Sequence, residues 1–160
     1  MNETYDIAIV GATGSVGREI LQILEQRKFP INNLYLLASE KSKGSKIEFD
    51  NQEIIVDDLS NFDFSKTQIS LFSPGSTVSS KFAPLAAEKG SLVIDNTSYF
   101  RMHNDVPLIV PEVNAEVLDE YFEKNNRKNI IANPNCSTIQ MLVALKPLHD
   151  KAIINRIVVS

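Results

Sequence analysis

Three glycines with two residues between each pair, Gly11, Gly14 and Gly17, follow directly on the apolar run Tyr5 to Val10, in the segment Gly11-Ala12-Thr13-Gly14-Ser15-Val16-Gly17. Beyond them Ile20, Leu21, Ile23 and Leu24 recur at helical spacing between Glu19, Gln22, Glu25 and Gln26, and Phe29-Pro30 closes the helix. Residues 34–38 then read as a second strand. Strand, glycine turn, helix and strand together make a βαβ unit. Such a turn lets the backbone leave the strand sharply, so that a pyrophosphate can sit against free N–H groups at the helix N-terminus. The spacing departs from the commonest G-x-G-x-x-G, and a glycine triplet alone is also what a merely tight turn uses. Its position, after a strand and at the head of an amphipathic helix, favours nucleotide binding over a bare turn.

The same alternation continues. Residues 39–46 are a polar, lysine-rich loop; residues 47–49 and 53–56 read as short strands, and residues 57–66 as a connecting loop. A strand over 68–72, the turn Ser73-Pro74-Gly75-Ser76 and a helix over 78–88, ended by Gly90, repeat the βα pattern. Strands are expected at 92–94 and 108–110, a helix at 115–123 and a polar link at 125–129. The pattern then restarts with a strand at 129–132, the turn Asn133-Pro134-Asn135 and an apolar helix at 136–145 that Lys146-Pro147 should end. Residues 153–159 form a last β-rich run. These elements predict an α/β domain with a mostly parallel sheet over residues 1–130 and the opening elements of another domain over 131–160.

At 160 residues the chain can bury one sizeable core. A formal charge of -4 gives no electrostatic footprint for nucleic acid or an anionic membrane, and neither partner is expected. No apolar stretch approaches the ~18 residues of a membrane helix, and the polar start lacks the pattern of a signal peptide. The single cysteine excludes an intrachain disulfide, which fits a reducing cytoplasm and leaves one thiol to be explained.

That thiol, Cys136, follows Pro134-Asn135 where a strand gives way to a helix. A lone cysteine is often only a small buried hydrophobe, but a helix N-terminus favours the thiolate form and marks a nucleophile. Asn135, Ser137 and the local backbone N–H groups can stabilise charge developing on a carbonyl oxygen. After the second strand, Ser39, Ser42, Lys43 and Lys46 supply donors for a ribose 2′-phosphate, whereas Glu40 in the same loop could instead bond a 2′-hydroxyl; the serines favour NADP and Glu40 keeps NAD open. His103 and His149 read as surface residues, and no spacing of cysteine and histidine suggests a metal site. Arg101 closes Asp95-Asn96-Thr97-Ser98-Tyr99-Phe100-Arg101 just past a strand end, where ligands bind in open α/β sheets, yet a plain surface role fits it equally.

Taken together, these segments resemble the aspartate-semialdehyde dehydrogenase family along essentially the whole chain. The most specific is Asn133-Pro134-Asn135-Cys136-Ser137-Thr138-Ile139-Gln140, joined by the glycine segment, Leu37-Ala38-Ser39, Leu71-Phe72-Ser73, Val93-Ile94-Asp95-Asn96-Thr97-Ser98 with Phe100-Arg101, and Val106-Pro107-Leu108-Ile109-Val110-Pro111-Glu112-Val113-Asn114. The related acetylglutamyl-phosphate reductases and glyceraldehyde-phosphate dehydrogenases surround their cysteine with different residues. The resemblance implies a Rossmann-like NADP-binding domain over 1–130 and the start of an α+β catalytic and dimerisation domain over 131–160. It also implies reduction of L-aspartyl 4-phosphate by NADPH to L-aspartate 4-semialdehyde and phosphate, on the route to lysine, threonine, methionine and diaminopimelate. By carry-over the nucleophile falls on Cys136, and phosphate binding on Arg101 and Asn135. The cofactor falls on Gly11, Thr13, Gly14, Ser15, Val16, Ser39, Ser42, Ser73 and Gly75. Family members are longer, form homodimers or tetramers, and keep their general-base histidine in a part with no counterpart here, so residues 1–160 alone are expected to be inactive. Two readings from other classes stand beside this one. One is a non-catalytic NAD(P)-binding module with a core thiol; the other is a cysteine hydrolase, which would have no use for the glycine turn.

Overall fold

The computed structural model describes residues 3–124 and 127–159. In chain order its elements are β1 (Tyr5–Val10), α1 (Ser15–Gln26), β2 (Ile31–Ala38), β3 (Lys46–Phe49), β4 (Gln52–Asp58), β5 (Ile69–Phe72), α2 (Ser76–Glu88), β6 (Leu92–Asp95), α3 (Pro111–Asn114), α4 (Val117–Glu123), β7 (Ile130–Ala132) and α5 (Cys136–Ala152). The strands form one seven-stranded sheet in the order β3-β4-β2-β1-β5-β6-β7. All neighbours pair in parallel except β3 and β4, a hairpin whose two-residue turn, Asp50-Asn51, has both residues at positive φ. That is the backbone a tight hairpin turn demands.

The apolar runs follow from a sheet covered on both faces. Side chains alternate along β1: Ile7 and Ile9 pack with Leu21 of α1, Leu36 and Val56, while Ala8 and Val10 pack with Phe64, Phe72 and the small residues Ala83 and Ala86 of α2. Each large aliphatic so buried contributes about 1.5–3 kcal/mol. A smaller cluster of Ile109, Tyr121 and Ile131 lies under α4. From β1 the chain builds outward through β2 and β4 on one side, then returns to add β5, β6 and β7 on the other. The reversal of direction between β1 and β5 leaves a crevice beyond their C-terminal ends, the usual ligand position in such sheets.

Several expectations need correction. The strand expected to open a second domain is the edge of the first one's sheet, since β7 pairs in parallel with β6, Asp95 opposite Ala132. Residues 108–110 form no strand; a single bridge joins Leu108 to Ala132, and the flanking Pro107 and Pro111 lack the N–H a longer ladder needs. The helix expected at 115–123 is split into α3 and α4, separated by a turn at Ala115 and Glu116. α5 runs through Pro147 to Ala152. The proline costs one bond, to the carbonyl four residues back, on a helix with no buried residue, where water can serve it. Residues 153–159 form no strand: Ile153, Val158 and Val159 are largely exposed and their β-propensity finds no partner among the described residues. The loops at 39–46 and 57–66 contain 3-10 turns at Glu40–Ser42, Leu59–Asn61 and Phe64–Lys66. Of the expected polar link, Asn125 and Asn126 lie outside the described residues.

Candidate active site

The three glycines do different work. Gly11 has φ +87°, and a Cβ there would lie 2.9 Å from the carbonyl carbon and oxygen of Ser73, so this glycine lets the β1 and β5 loops touch. A Cβ on Gly17 would stand 2.3 Å from the Gly11 carbonyl oxygen and 2.8 Å from Ala12 Cα, so Gly17 seats α1 against its own strand. Gly14 has φ −75° and ψ 166°, and a Cβ would meet only the Gly11 oxygen, at 3.3 Å. Nothing in the fold requires a glycine there. It caps α1 without a side-chain hydrogen bond, and the first turn holds no acidic residue. The first intrahelical bond runs from the Arg18 N–H to the Gly14 carbonyl, so the N–H groups of Ser15, Val16 and Gly17 precede any helical acceptor. An open, positive helix end of this kind suits an anion.

In front of that helix end is a cleft of about 400 Å³, bounded by Gly11, Thr13 and Gly14, by Ser39 and Glu40 after β2, and by Ser73 and Pro74 after β5. Its apolar wall, Leu59, Val78 and Phe82, was not anticipated from sequence. Val78 and Phe82 stand four apart, on one face of α2, and that spacing was the available signal. Ser15 and Val16 sit exposed on the first turn of α1 beside the cleft, and Gly75, at φ +95°, caps α2. Of the four expected 2′-phosphate donors only Ser39 borders the cleft, next to Glu40. The Ser42 carbonyl accepts from both the N–H and the hydroxyl of Ser45, Lys43 lines a separate hollow with Asp58, and Lys46 is paired with Glu53 at 2.6 Å. A slightly larger hollow, about 450 Å³, lies between the end of α1 and the β3–β4 hairpin and contains none of the glycine-turn residues or Cys136.

Cys136 is the first residue of α5, exposed and unbridged. Asn135 caps the helix: its Oδ1 accepts from the Thr138 N–H at 2.8 Å, which leaves the two Nδ2 hydrogens as donors. Arg101 reaches this loop. Its Nε donates to the Asn133 carbonyl and its Nη2 to the Asn96 carbonyl, each at 2.9 Å, and Asn133 Nδ2 donates to Asn96 Oδ1 at 2.6 Å. Beneath them the fully buried Asp95 carboxylate accepts from the Ser79 hydroxyl at 2.7 Å, the Thr97 hydroxyl at 2.8 Å and the Thr97 N–H at 3.2 Å, which fixes the start of the Arg101 loop.

Among the described residues neither histidine is hydrogen-bonded to the thiol. His103 packs on Tyr99 and Phe100, while His149 accepts the Ile154 N–H near the far end of α5, thirteen residues along the helix from Cys136, roughly 20 Å. Among the described residues no group of three or more acidic, histidine or cysteine side chains is placed to hold a metal, and no helix is long and apolar enough to cross a membrane.

The glycine cleft and the cysteine loop share the C-terminal edge of the parallel strands. A matched series of backbone bonds runs along that edge: Gly11 N–H to Leu37, Ser73 N–H to Val10, Asn96 N–H to Phe72 and Asn133 N–H to Asp95, all at 2.8 to 2.9 Å. Fold and site together define a dinucleotide-binding α/β domain that presents a thiol on the edge where the glycine cleft opens. Residues 6–121 match the semialdehyde dehydrogenase NAD-binding domain, and the chain belongs to that family. It is 51% identical, over all 160 residues, to aspartate-semialdehyde dehydrogenase 2 of Vibrio cholerae, covering 46% of that protein. The crystal structure of the Vibrio cholerae aspartate semialdehyde dehydrogenase II complexed with ASA superposes with a TM-score of 0.90 at 51% identity, over 96% of this chain and 49% of that one. The Candida albicans aspartate semialdehyde dehydrogenase solved with NADP gives a TM-score of 0.77 at 27% identity, over 95% of this chain and 48% of that one. The chain thus spans about half the length of the curated relatives it matches, 46% of the Vibrio cholerae protein.

Proposed function

We propose that the chain is the nucleotide-binding part, with the nucleophile, of an NADP-dependent aspartate-semialdehyde dehydrogenase, which reduces L-aspartyl 4-phosphate to L-aspartate 4-semialdehyde and phosphate. The observation that carries this is the placement of the glycine cleft and an exposed cysteine at a helix N-terminus on one edge of one sheet. The residues fit a dinucleotide: three N–H groups at the head of α1 precede any helical acceptor, and Gly14 leaves room the fold does not need. The thiolate of Cys136 attacks the acyl carbon; the C–S bond forms as the C–O bond to phosphate breaks, and phosphate leaves with that electron pair. When bound, NADPH supplies the hydride that reduces the thioester. The C–S bond then breaks and Cys136 is again a thiolate. Arg101 spends two of its five N–H donors on backbone carbonyls and keeps three for the phosphate, with the Asn135 amide beside it.

Ser39, at the mouth of the cleft, is the donor for a 2′-phosphate. A second reading, NAD, is favoured by one observation: Glu40 lines the same cleft while Ser42, Lys43 and Lys46 do not. Titration with NADPH and NADH decides between them; tighter NADH binding would transfer the role to Glu40. The same functional reading places the protein in lysine, threonine, methionine and diaminopimelate synthesis, as a cytoplasmic homodimer or tetramer, and starts the catalytic domain after Ala132. Its test is NADPH formation from aspartate semialdehyde, NADP and phosphate by the protein carrying this chain. Cys136→Ser should abolish the reaction, and retained turnover would refute the assignment.

A further inference from the structure

We propose that Asn96 and Asn133 are positioning residues, which close a hydrogen-bonded ring with Arg101 that holds the guanidinium beside the Cys136 loop. The two amide side chains are joined at 2.6 Å, and the backbone carbonyls of the same two residues both accept from the one guanidinium, at 2.9 Å each. The ring bridges the ends of two neighbouring strands, because Asn96 follows β6 and Asn133 follows β7. Both ends are also tied from below, Asn96 N–H to Phe72 and Asn133 N–H to Asp95. A surface arginine has several rotatable bonds, whereas a guanidinium held by two fixed carbonyls has its remaining donors set in space before any ligand arrives. Two residues separate Asn133 from Cys136, so the chain keeps the ring within roughly 10 Å of the thiol. Losing either amide side chain leaves the arginine in place but removes the strut that keeps its two carbonyl acceptors at one separation.

The inference rests on the proposed placement of Arg101 at the reacting thiol, and the experiment separates the two. Cys136 is the only cysteine among residues 1–160, and peptide mapping of the alkylated protein reads its modification separately from any other thiol. Rates are measured at low ionic strength with iodoacetate, which is anionic, and iodoacetamide, which is neutral. A held guanidinium raises the iodoacetate rate relative to the iodoacetamide rate by roughly twofold, as expected for unit charges about 10 Å apart in water. General loosening of the loop would alter both rates together and leave their ratio unchanged. Arg101→Ala should remove the preference. Asn96→Ala and Asn133→Ala should lower the ratio to the Arg101→Ala value although Arg101 is still present, with the unfolding midpoint and nucleotide affinity at the glycine cleft retained. A wild-type ratio in both asparagine variants alongside a lowered ratio in Arg101→Ala would overturn the positioning role and leave the functional reading intact. An unchanged ratio in Arg101→Ala would overturn both. Asn96→Leu and Asn133→Leu, similar in size but unable to form the amide bond, carry the same expectation and replace any alanine variant that fails to fold.

Discussion

Alanine at position 14 adds one methyl group at the N-cap of α1. The backbone there, φ −75° and ψ 166°, suits any residue, and the methyl meets only the Gly11 oxygen at 3.3 Å. Replacing glycine at a compatible position stabilises by about 0.4–1 kcal/mol through the unfolded chain, and the tight contact offsets part of this. Gly14→Ala should therefore melt within a few degrees of the parent, at about 2–4 °C per kcal/mol for a chain of this size. On the proposed reading the same methyl occupies the space through which phosphates would approach the N–H groups of Ser15 and Val16. Loss of one or two hydrogen bonds to a charged group, about 1.5–3 kcal/mol each, predicts at least a roughly tenfold weaker nucleotide complex. Gly17→Ala is the counterpart. Its methyl would lie 2.3 Å from the Gly11 oxygen and 2.8 Å from Ala12 Cα, both backbone, so α1 must move off β1. Overpacking of that kind costs about 1–3 kcal/mol, several degrees in melting temperature. Thermal melts paired with NADPH titrations of both variants test the reasoning. Wild-type affinity in Gly14→Ala, or a melting loss as large as that of Gly17→Ala, would refute the division of roles among the glycines.

Tyr121→Phe should destabilise by about 1–3 kcal/mol, because the buried hydroxyl both donates to and accepts from the backbone of Ile130 at 3.1 Å; urea unfolding would show it, and an unchanged midpoint would mean that Ile130 needs no such partner. Ser79→Ala should cost a similar about 1–3 kcal/mol by withdrawing the shortest donor from the buried Asp95 carboxylate, and an unaltered melting temperature would count against that network. Backbone N–H bonds from Ser60 and Ser65 hold Asp58 and Asp63 below the ordinary carboxylate value, and side-chain bonds from Asn33 and Asn32 do the same for Asp6. Groups lowered on folding contribute stability that is complete above their unfolded value and is lost as pH falls through the folded one. Urea midpoints should accordingly fall as the pH drops through and below the ordinary carboxylate range, and Asp63→Asn, which keeps a capping oxygen but cannot titrate, should show a smaller fall.

The βαβ opening was legible because its signals are local. An apolar run, a glycine turn and a helical period lie within one stretch, and each agrees with the others. Cys136 was placed correctly at the head of a helix for the same reason, since Pro134 and the cap Asn135 are its neighbours. Pairing is another matter. β7 is three residues long and buried throughout, so nothing in its own composition says whether it closes one sheet or opens the next. Residues 153–159 have the composition of a strand but no strand partner among the described residues, and propensity alone does not hold a strand in water. The expected lysines point to a similar limit: Lys46 answers to Glu53 across a hairpin, a contact fixed by strand register and not by proximity to the glycine turn. The Arg101 loop was suspected, but its bonds to Asn96 and Asn133 join residues up to 32 positions apart, beyond the reach of any local pattern.

The order of the strands also acts as a ruler. Between β1, which ends at the glycine turn, and β7, which ends at the cysteine loop, stand β5 and β6, so three inter-strand steps separate the two. At roughly 4.8 Å per step that is about 14 Å along the edge of the sheet. A ligand anchored by its phosphates at the head of α1 can bring its other end to Cys136 only by lying extended over the ends of β5 and β6. A mononucleotide held by the same anchor would stop short. The number of strands thereby sets the length of molecule the edge can use, and it does so before any side chain has chosen among ligands of that length.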